Sequence, residues 1–352
     1  MRFSGMSATR YRFEDWEEAQ EYFLENGLTD GLPIVVPTED RVKAMLEYSG
    51  LGSDQVIGVE GIRRKQFTAE KVAINAVMAG CKPEYFPVVV AAVAACCERP
   101  FNLHANSTST NGIATLVLVS GPYAQQIEMN SKAGLMGNGN RANTTIGRAV
   151  NLVKTNFYGS TPQGMDKSAF GQPGKISFCF AEDPDVGSWP SLAATKGFPE
   201  GTTTVTVFAA NSPLQVTIKG GGLSWLNWGG KDPQDFLSGA ARAMLALGPF
   251  TSEVLVVISP ELMAYVKAVG WGRQEIQRYL YERTLRPATE WIAWHQMEPT
   301  GEVSHPDETI GCVADPDRIT VVAGGGDATA YLDLISSWAS SRSVTKEIQI
   351  SR

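Results

Sequence analysis

Histidine is scarce in this chain, and its cysteines are not spaced as metal or redox pairs. The 352 residues include three histidines and five cysteines. No two cysteines have the C-x-x-C spacing of zinc ribbons and thioredoxin-like motifs. An odd number of unpaired cysteines in a long chain is typical of reduced thiols inside the cell. A site with several histidine ligands would have to assemble from distant parts of the chain.

The chain also lacks an excess of basic residues and an apolar run of membrane length. Thirty basic and 37 acidic residues give a net charge of −7, whereas a nucleic-acid binder needs a basic face that releases counterions. The longest apolar run, from Phe86 to Cys97, is well short of the roughly 20 residues that a membrane span needs. No basic segment followed by an apolar one marks the N-terminus as a secretory signal. We therefore expect a cytoplasmic protein that binds neither nucleic acid nor membranes.

Apolar side chains are abundant and are arranged as strands that alternate with helices. Hydrophobic residues make up 43% of the chain, which is enough to exclude disorder for most of it. The alternation predicts an α/β fold with a mixed or mostly parallel sheet, flanking helices and a helix-rich N-terminal part. Glycines and prolines cluster near residue 165 and predict a boundary between a helix-rich half (1–165) and an α/β half (166–352). One continuous domain is the alternative.

Two predicted helices of the N-terminal half, residues 69–79 and 87–98, have almost no polar face. Helices of this kind must be buried. Cys81 lies at the junction between them. A thiol directed at the N-terminus of the second helix would have a lowered pKa and act as a nucleophile. An inert buried thiol is the alternative.

A polar interval, residues 101–112, separates a buried helix from a predicted buried strand. We expect it to lack regular structure, and a long structureless loop in such a place favours a functional role. His104 is the predicted proton-transfer group of this interval. A histidine that only bonds the loop backbone is the alternative. The predicted substrate-binding residues here are Asn106, Ser107 and Asn111.

Residues 137–142 spell G-N-G-N-R-A, the letters of a dinucleotide-binding fingerprint, before a predicted helix. The context of that fingerprint is missing, because no strand precedes it and no acidic residue follows about 20 positions later. We predict instead an anion site at the helix N-terminus, where free amides and a guanidinium meet. An ordinary glycine turn capped by Asn143 is the alternative. The predicted anion-binding residues are Gly137, Gly139, Asn140, Arg141 and Arg148.

Three glycines and an aspartate, residues 324–327, lie between a predicted strand and a predicted helix (328–337). This is the carboxyl edge of a strand, where α/β sheets bind their ligands. We therefore predict ligand contacts for Gly325 and Asp327, with a helix N-cap as the alternative for the aspartate. The tryptophan-rich residues 220–230 are a predicted lid or a contact in a homo-oligomer.

Several stretches of the chain resemble a family of bacterial and environmental proteins of about this length. The stretches are Asp30–Thr38, Thr68–Tyr85, Phe101–His104, Arg141–Ala149 and Gly171–Lys175 with Phe178–Glu182. Val321–Gly326, with Arg342–Lys346, resembles the tail of the UGSC family of (seleno)proteins, which are similar to the selenoprotein component of glycine reductase. The chain has no Cys-Gly-Ser-Cys or selenocysteine equivalent. The resemblance therefore implies that this chain acts together with a UGSC-like protein partner.

Together these features predict an enzyme, an oxidoreductase or lyase, that acts on a small anionic molecule. Arg141 would hold the anion, His104 would transfer protons, and the thiol of Cys81 would assist cleavage or reduction of a carbon–heteroatom bond. No cofactor is specified by these residues. Two alternatives stay open, a non-catalytic subunit that scaffolds a UGSC-like redox partner and a carboxylate-ligated metal enzyme. The main interpretation requires residues near 81, 104 and 141 to line one cavity.

Overall fold

Strands and helices follow each other along the whole chain in a computed structural model that describes residues 5–185, 189–217, 233–297, 308–327 and 331–350. The strands are β1 (Val56–Glu60), β2 (Lys65–Thr68), β3 (Ala114–Ser120), β4 (Cys179–Ala181), β5 (Thr204–Ala210), β6 (Leu214–Thr217), β7 (Val254–Ile258), β8 (Arg286–Pro287), β9 (Thr309–Ile310), β10 (Ile319–Ala323), β11 (Tyr331–Ser336) and β12 (Val344–Glu347).

The α-helices are α1 (Trp16–Glu25), α2 (Glu39–Ser49), α3 (Ala69–Ala79), α4 (Phe86–Cys96), α5 (Leu103–Thr108), α6 (Pro122–Gln126), α7 (Arg141–Leu152), α8 (Leu192–Thr195), α9 (Pro233–Leu245), α10 (Pro260–Ala268), α11 (Arg273–Thr284) and α12 (Ala288–Ala293). A π-helical segment, Val153–Tyr158, continues α7 without a break.

Two four-stranded mixed sheets form the centre of the fold. The first sheet has the strand order β12-β5-β3-β4, and the second has the order β10-β7-β11-β6. Within the sheets, β3 runs parallel to β4 and β7 runs parallel to β10, while the other neighbours are antiparallel. The predicted α/β class with a mixed sheet is therefore confirmed, although the strands divide into two sheets.

The two sheets pack face to face, because their strands are apolar on both sides. On β3, Leu116 and Leu118 belong to a core shared with Leu255 and Val322 of the second sheet. The alternate residue Val117 belongs to the core between the first sheet and its helices. Side chains of a strand point alternately to opposite faces. The molecule is therefore a sandwich of four layers, with helices outside and two sheets inside.

Helices cover the outer face of each sheet. The first sheet is covered by α4 and α7, against which α2 and α3 pack, and the second sheet is covered by α9 and α11. The predicted buried helix pair is confirmed as α3 and α4, whose residues are almost all inaccessible. Within the described ranges, no single helix is long and apolar enough to cross a membrane, although the bent pair Pro83–Cys96 and Arg99–Thr108 meets that test when taken together.

The first sheet joins the two predicted halves of the chain. Strand β3 precedes residue 165, whereas β4, β5 and β12 follow it. The boundary predicted at residue 165 therefore lies between strands that pair with each other. The predicted lid or oligomer contact at residues 220–230 lies outside the described residues.

Two predictions of local structure are wrong. The polar interval 101–112 contains the short helix α5, in which the Thr108 hydroxyl bonds the carbonyls of His104 and Ala105. The helix predicted at 328–337 is instead the strand β11 from Tyr331 to Ser336. Its residues pack toward two different cores, as a strand between two apolar layers requires. Asp327 is exposed.

A glycine of α7 sets how closely this helix approaches the first sheet. A Cβ at Gly147 would lie 2.5 Å from the Ser177 hydroxyl and 2.8 Å from the Phe178 amide nitrogen. We expect Gly147→Ala to lower the free energy of unfolding by about 1–3 kcal/mol, as overpacking does. Chemical denaturation measures it. Gly61→Ala is the matched control, because a Cβ there meets no atom within 4 Å. Equal stability of both variants would contradict this account.

Candidate functional site

The thiol of Cys81 is buried and is not activated. It donates a hydrogen bond to the carbonyl of Thr145 on α7, 3.3 Å away. Burial raises the pKa of Cys81 to about 12, against smaller opposing effects of the Thr145 hydrogen bond and of Arg141. The prediction that a helix N-terminus lowers this pKa is therefore wrong. Removal from water outweighs the neighbouring positive charges, so the thiolate does not form near neutral pH.

His104 lies far from Cys81. Both contact the continuous helix Arg141–Tyr158, but Cys81 contacts its first half and His104 contacts its last residue. Its Nδ1 is 3.2 Å from the hydroxyl of Tyr158, the last residue of the π-helical segment. Thr145, which contacts Cys81, is 13 residues earlier, roughly 20 Å at 1.5 Å per residue. The single cavity expected near residues 81, 104 and 141 therefore does not bring the thiol and the imidazole together. Arg141, in contrast, is close to Cys81.

At the start of α7, two of the residues predicted to bind an anion, Asn140 and Arg141, form hydrogen bonds within the protein instead. Asn140 caps the helix by accepting from the amide of Asn143, 2.9 Å away. Arg141 donates to the carbonyl of Gly80 at the end of α3 (2.9 and 3.2 Å), where a cation complements the helix dipole. Gly137 and Gly139 are exposed.

Arg148 does not stand beside this predicted anion site. It forms a bidentate ion pair with Asp30, with nitrogen–oxygen distances of 2.7 and 2.8 Å, and also donates to the carbonyl of Pro33. Burial alone would raise the pKa of Asp30, but the hydrogen bonds and charge of Arg148 outweigh it, so the pKa lies below its ordinary value. Arg148 thus fixes the turn that contains Asp30.

The second predicted glycine site does border a cavity. The amide of Gly325 donates to the carbonyl of Ser131 (2.9 Å), which joins residues 324–326 to the loop that precedes α7. Both loops line a cavity of about 360 Å³ at the carboxyl ends of β7 and β10. A Cβ at Gly326 would lie 2.9 Å from that of Ala133. The close approach of the two loops is therefore enough to explain the glycines at these positions.

The residues of the polar interval have different surroundings. Asn111 is exposed, and the buried hydroxyl of Ser107 has no hydrogen-bond partner in the part of the chain that the structure describes. Asn106 is buried and donates to the carbonyl of Phe101, 3.0 Å away. Its Oδ1 accepts from the ammonium of Lys154 at 3.2 Å. The predicted substrate-binding residue Asn106 therefore orients a lysine.

Lys154 lines a cavity of about 400 Å³ between the π-helical segment and two loops. The volume is within the range typical of small-molecule sites. Hydroxyl and carboxyl groups share the wall with the lysine. The polar lining residues are Thr29, Asp30, Asn151, Thr155, Ser160, Asp166 and Lys175. This is the candidate functional site.

The π-helical geometry is itself a feature of functional sites. Such segments are rare and occur frequently where a helix contributes to a site. The helical turn formed by Val153–Tyr158 is wider than that of an α-helix, and it ends at Gly159, whose φ is +93°. Lys154 and Thr155 line the 400 Å³ cavity, while Asn156 and Phe157 line a different one. One turn of the helix therefore serves two cavities.

A second lysine at the candidate site is paired with a carboxylate. Lys175 forms an ion pair with Asp166 and donates to the hydroxyl of Ser168 at 3.0 Å. Burial would raise the pKa of Asp166, but hydrogen bonds from Lys175 and Ser168 hold it below its ordinary value. Asp166 is therefore a carboxylate near neutral pH. Asp166 compensates the charge of Lys175. The hydrogen-bond partner of Lys154, in contrast, is the neutral amide of Asn106.

Lys154 is the amine that the site activates. Burial, together with the nearby ammonium of Lys175, lowers the pKa of Lys154 to about 8. An ordinary lysine is almost fully protonated near neutral pH, whereas a pKa near 8 leaves a useful fraction as the free amine. A desolvated lysine beside a second cation is a known arrangement for an amine nucleophile.

The other cavity on the π-helical segment is larger, about 560 Å³, and mainly apolar. Phe13 and Phe23 are among its lining residues, together with Phe157. The carboxylate of Glu70 in its wall accepts hydrogen bonds from the N-terminal residues around Ser7. These walls suit an apolar molecule but offer less for chemistry than the lysine cavity does.

Sequence reasoning missed Lys154 although a signal was present. It is the one charged residue of the stretch Leu152–Tyr158, between apolar residues that continue the buried face of α7. A lysine at such a position must be desolvated or reach a polar pocket. The partners Asp166 and Lys175 come from a loop whose path no local pattern predicts.

Comparison with known proteins adds no family. No protein-family model matches the chain, and no curated protein sequence is significantly similar to it. The resemblance to UGSC-related proteins therefore stays a prediction. Within the described ranges, no group of three or more His, Cys, Asp or Glu side chains is placed to hold a metal ion.

The burial of Cys81 predicts its reactivity. With iodoacetamide at pH 7.5, we expect Cys81 to stay unmodified in the folded protein, because the raised pKa and the lack of access both suppress thiolate attack. Mass spectrometry of peptides gives the extent of labelling. The same protein in denaturant is the control and should be fully labelled. Rapid alkylation of native Cys81 would restore the thiol mechanism.

The lowered pKa of Lys154 predicts a pH-dependent stability. Between pH 8 and 10.5 the folded protein releases this proton before the unfolded chain does, so the free energy of unfolding rises with pH. Lys154→Met should raise the free energy of unfolding by about 3 kcal/mol at pH 7, and the gain should vanish near pH 10.5. Denaturant titrations of Lys154→Met and of the exposed control Lys167→Met measure this. A gain that did not depend on pH would contradict the shifted pKa.

Proposed function

We propose that the protein is an enzyme that acts on a small oxo acid, with the amine of Lys154 as its nucleophile. The observation that carries this proposal is a lysine, oriented by the buried Asn106, in the wall of a 400 Å³ cavity that also holds hydroxyl and carboxyl groups. The small anionic substrate expected from the sequence is retained. The thiol chemistry is replaced by amine chemistry.

The free amine of Lys154 would attack the carbonyl carbon of the substrate. A carbon–nitrogen bond forms and the carbon–oxygen bond breaks. The oxygen leaves as water with the two protons of the amine, and the imine takes up one proton from solvent to become a cation. This cation withdraws electrons from the neighbouring carbon–carbon or carbon–hydrogen bond and so eases its cleavage, as in enzymes that use a Schiff-base lysine. Such chemistry belongs to lyases, one of the two classes predicted above.

The other polar groups of the cavity have roles that follow from their charges. Lys175, whose charge Asp166 compensates, lowers the pKa of Lys154. The carboxylate of the substrate would share the ammonium of Lys175 with Asp166. Asp166, ionised near neutral pH, pairs with Lys175 and also acts electrostatically on Lys154, so it is the candidate proton acceptor. Asp30 lines the same cavity, but its ion pair with Arg148 gives it a structural role.

The residues first expected to be catalytic have less support. Neither Cys81 nor His104 is among the lining residues of this cavity. Burial raises the pKa of each of the five cysteines. Proton transfer by His104 would have to proceed through Tyr158, whose own pKa is raised by burial and by Glu60. No observation favours the scaffold or the metal alternative over the amine.

Reductive trapping tests the proposal. We expect sodium cyanoborohydride and pyruvate, as a probe for oxo acids, to attach one reduced adduct to Lys154 that peptide mass spectrometry locates. The yield should rise as the pH approaches 8, because the fraction of free amine rises.

Matched variants make this trapping experiment specific. Lys154→Arg should lose at least nine-tenths of the adduct, since a guanidinium cannot form an imine. The exposed Lys167, whose ammonium bonds only the Gln163 carbonyl among its described contacts, is the control, and Lys167→Arg should label normally. Adducts spread over several surface lysines, or undiminished in Lys154→Arg, would overturn the proposal.

A further inference from the structure

The mainly apolar cavity of about 560 Å³ on the π-helical segment extends along one face of α3. Lys71, Ile74, Asn75 and Met78 line it. Residues with the spacing i, i+3, i+4 and i+7 lie on the same side of an α-helix. At 1.5 Å per residue, this wall is about 10 Å long. The cavity therefore has the length to hold a short chain molecule.

The accessible surface decreases along this face of α3. Lys71 and Ile74 are half-buried, whereas Asn75 is 4% exposed and Met78 is 2% exposed. The cavity therefore opens to solvent beside Lys71 and closes toward Met78. A charged group at the open end and apolar groups farther along are the pattern of a site for an amphiphile.

Apolar residues that keep part of their surface accessible form the other walls. Phe13, Leu28, Val36 and Phe157 are half-buried and line the cavity, as Ile74 does. A hydrocarbon chain in contact with these side chains would remove their remaining apolar surface from water. The walls therefore favour a ligand with an aliphatic chain.

The N-terminal segment that completes the cavity is held in place by named contacts. The carboxylate of Glu70 accepts from the amide and the hydroxyl of Ser7, at 3.1 and 2.8 Å, and from the amide of Ala8 at 2.9 Å. The ring centroid of Phe13 lies 5.2 Å from that of Tyr22. This wall is therefore already ordered, which lowers the cost of binding a ligand.

Lys71 is the uncompensated cation among the described residues that line the cavity. The charged lining residues are Arg10, Glu39, Glu70 and Lys71. Arg10 and Lys43 both pair with Glu39, at 3.2 and 2.8 Å, and Glu70 accepts the hydrogen bonds from the N-terminal segment. The ammonium of Lys71 has no hydrogen bond or ion pair with any described residue; only its backbone carbonyl is bonded, by Asn75.

We propose that this cavity binds an unbranched aliphatic carboxylate, with its chain along the α3 face and its carboxylate on the ammonium of Lys71. The carboxylate would form a charge-assisted hydrogen bond with a group that has no partner of its own. The chain would cover Ile74 and the apolar walls. A cationic amphiphile would instead meet the charge of Lys71, while the carboxylates of Glu39 and Glu70 are already bonded.

Calorimetric titration with sodium octanoate, at constant ionic strength, tests the site. We expect saturable one-to-one binding with a dissociation constant below about 1 mM. The ion n-octylammonium, which has the same chain and the opposite charge, should bind about tenfold more weakly. Hexanoate should bind roughly fifteenfold more weakly, because each buried methylene contributes a factor of about four. Equal affinity for both charges or for both chain lengths, or no saturation at millimolar concentrations, would overturn the proposal.

Two lysines near the cavity provide matched variants. Lys71→Met keeps the apolar part of the side chain and should raise the dissociation constant for octanoate about tenfold, with loss of the preference over n-octylammonium. Lys43→Met removes a lysine that pairs with Glu39 and is not among the lining residues, so it should change the constant less than twofold. Equal losses in both variants would mean that general positive charge holds the anion, and would contradict the proposal.

A variant of the apolar wall tests the position of the chain independently. Ile74 is half-buried in α3, and glutamine is a good helix former, so Ile74→Gln should fold. It should weaken octanoate binding about threefold to fivefold and keep the preference over n-octylammonium. Thermal unfolding checks that each variant is folded. Unchanged affinity in Ile74→Gln would overturn the proposal even if Lys71→Met did not fold.

The cavity of Lys154 is the other place where a carboxylate could bind, and one more variant separates the two sites. Octanoate affinity should be unchanged in Lys154→Met, because Lys154 is not among the lining residues of the larger cavity. Loss of octanoate binding in this variant would overturn the present proposal. Oxo-acid trapping on Lys154 should be normal in Lys71→Met, so the proposed function and this site can fail independently.

Discussion

The burial of both faces of the central strands is the constraint on which the rest of the structure depends. A strand packed between two apolar layers can present polar side chains only at its ends. Strands β3, β7 and β10 have inaccessible residues throughout, and the polar groups gather beyond their last residues or on the covering helices. Chemistry in this fold is therefore confined to strand ends and to the helix surfaces facing the loops.

The helical run from Arg141 to Tyr158 connects most of the residues considered for function. At its beginning, Arg141 donates a hydrogen bond to the end of α3. In its middle, Arg148 forms an ion pair with Asp30 and so fixes that turn. Its end presents Lys154 and Tyr158. The polar groups of the first half therefore bond to neighbouring segments, whereas those of the π-helical half line cavities.

Much of the fold could be predicted from the sequence, and rather less of the site. The apolar runs predicted α3, α4 and the central strands, because such patterns have few alternatives once they must be buried. Strand β11 was mistaken for a helix, since Leu332, Leu334 and Ile335 fit either period in a short apolar run. Lys154 could not be assigned a role, because its pKa depends on Lys175 and on burial that only the assembled loops create. The low pKa expected for Cys81 failed for the same reason.

The π-helical segment also constrains how this chain can vary. In an α-helix each residue turns the chain by about 100°, whereas a π-helical segment fits one residue more into a turn of about the same rise. If one residue were removed between Val153 and Tyr158, the segment could relax to an α-helix. Tyr158 would keep nearly its place, but the residues between it and Val153, which line the two cavities, would be redistributed over a narrower turn. A single deletion here would thus disturb both cavities at once, while a substitution at one position would alter only one of them.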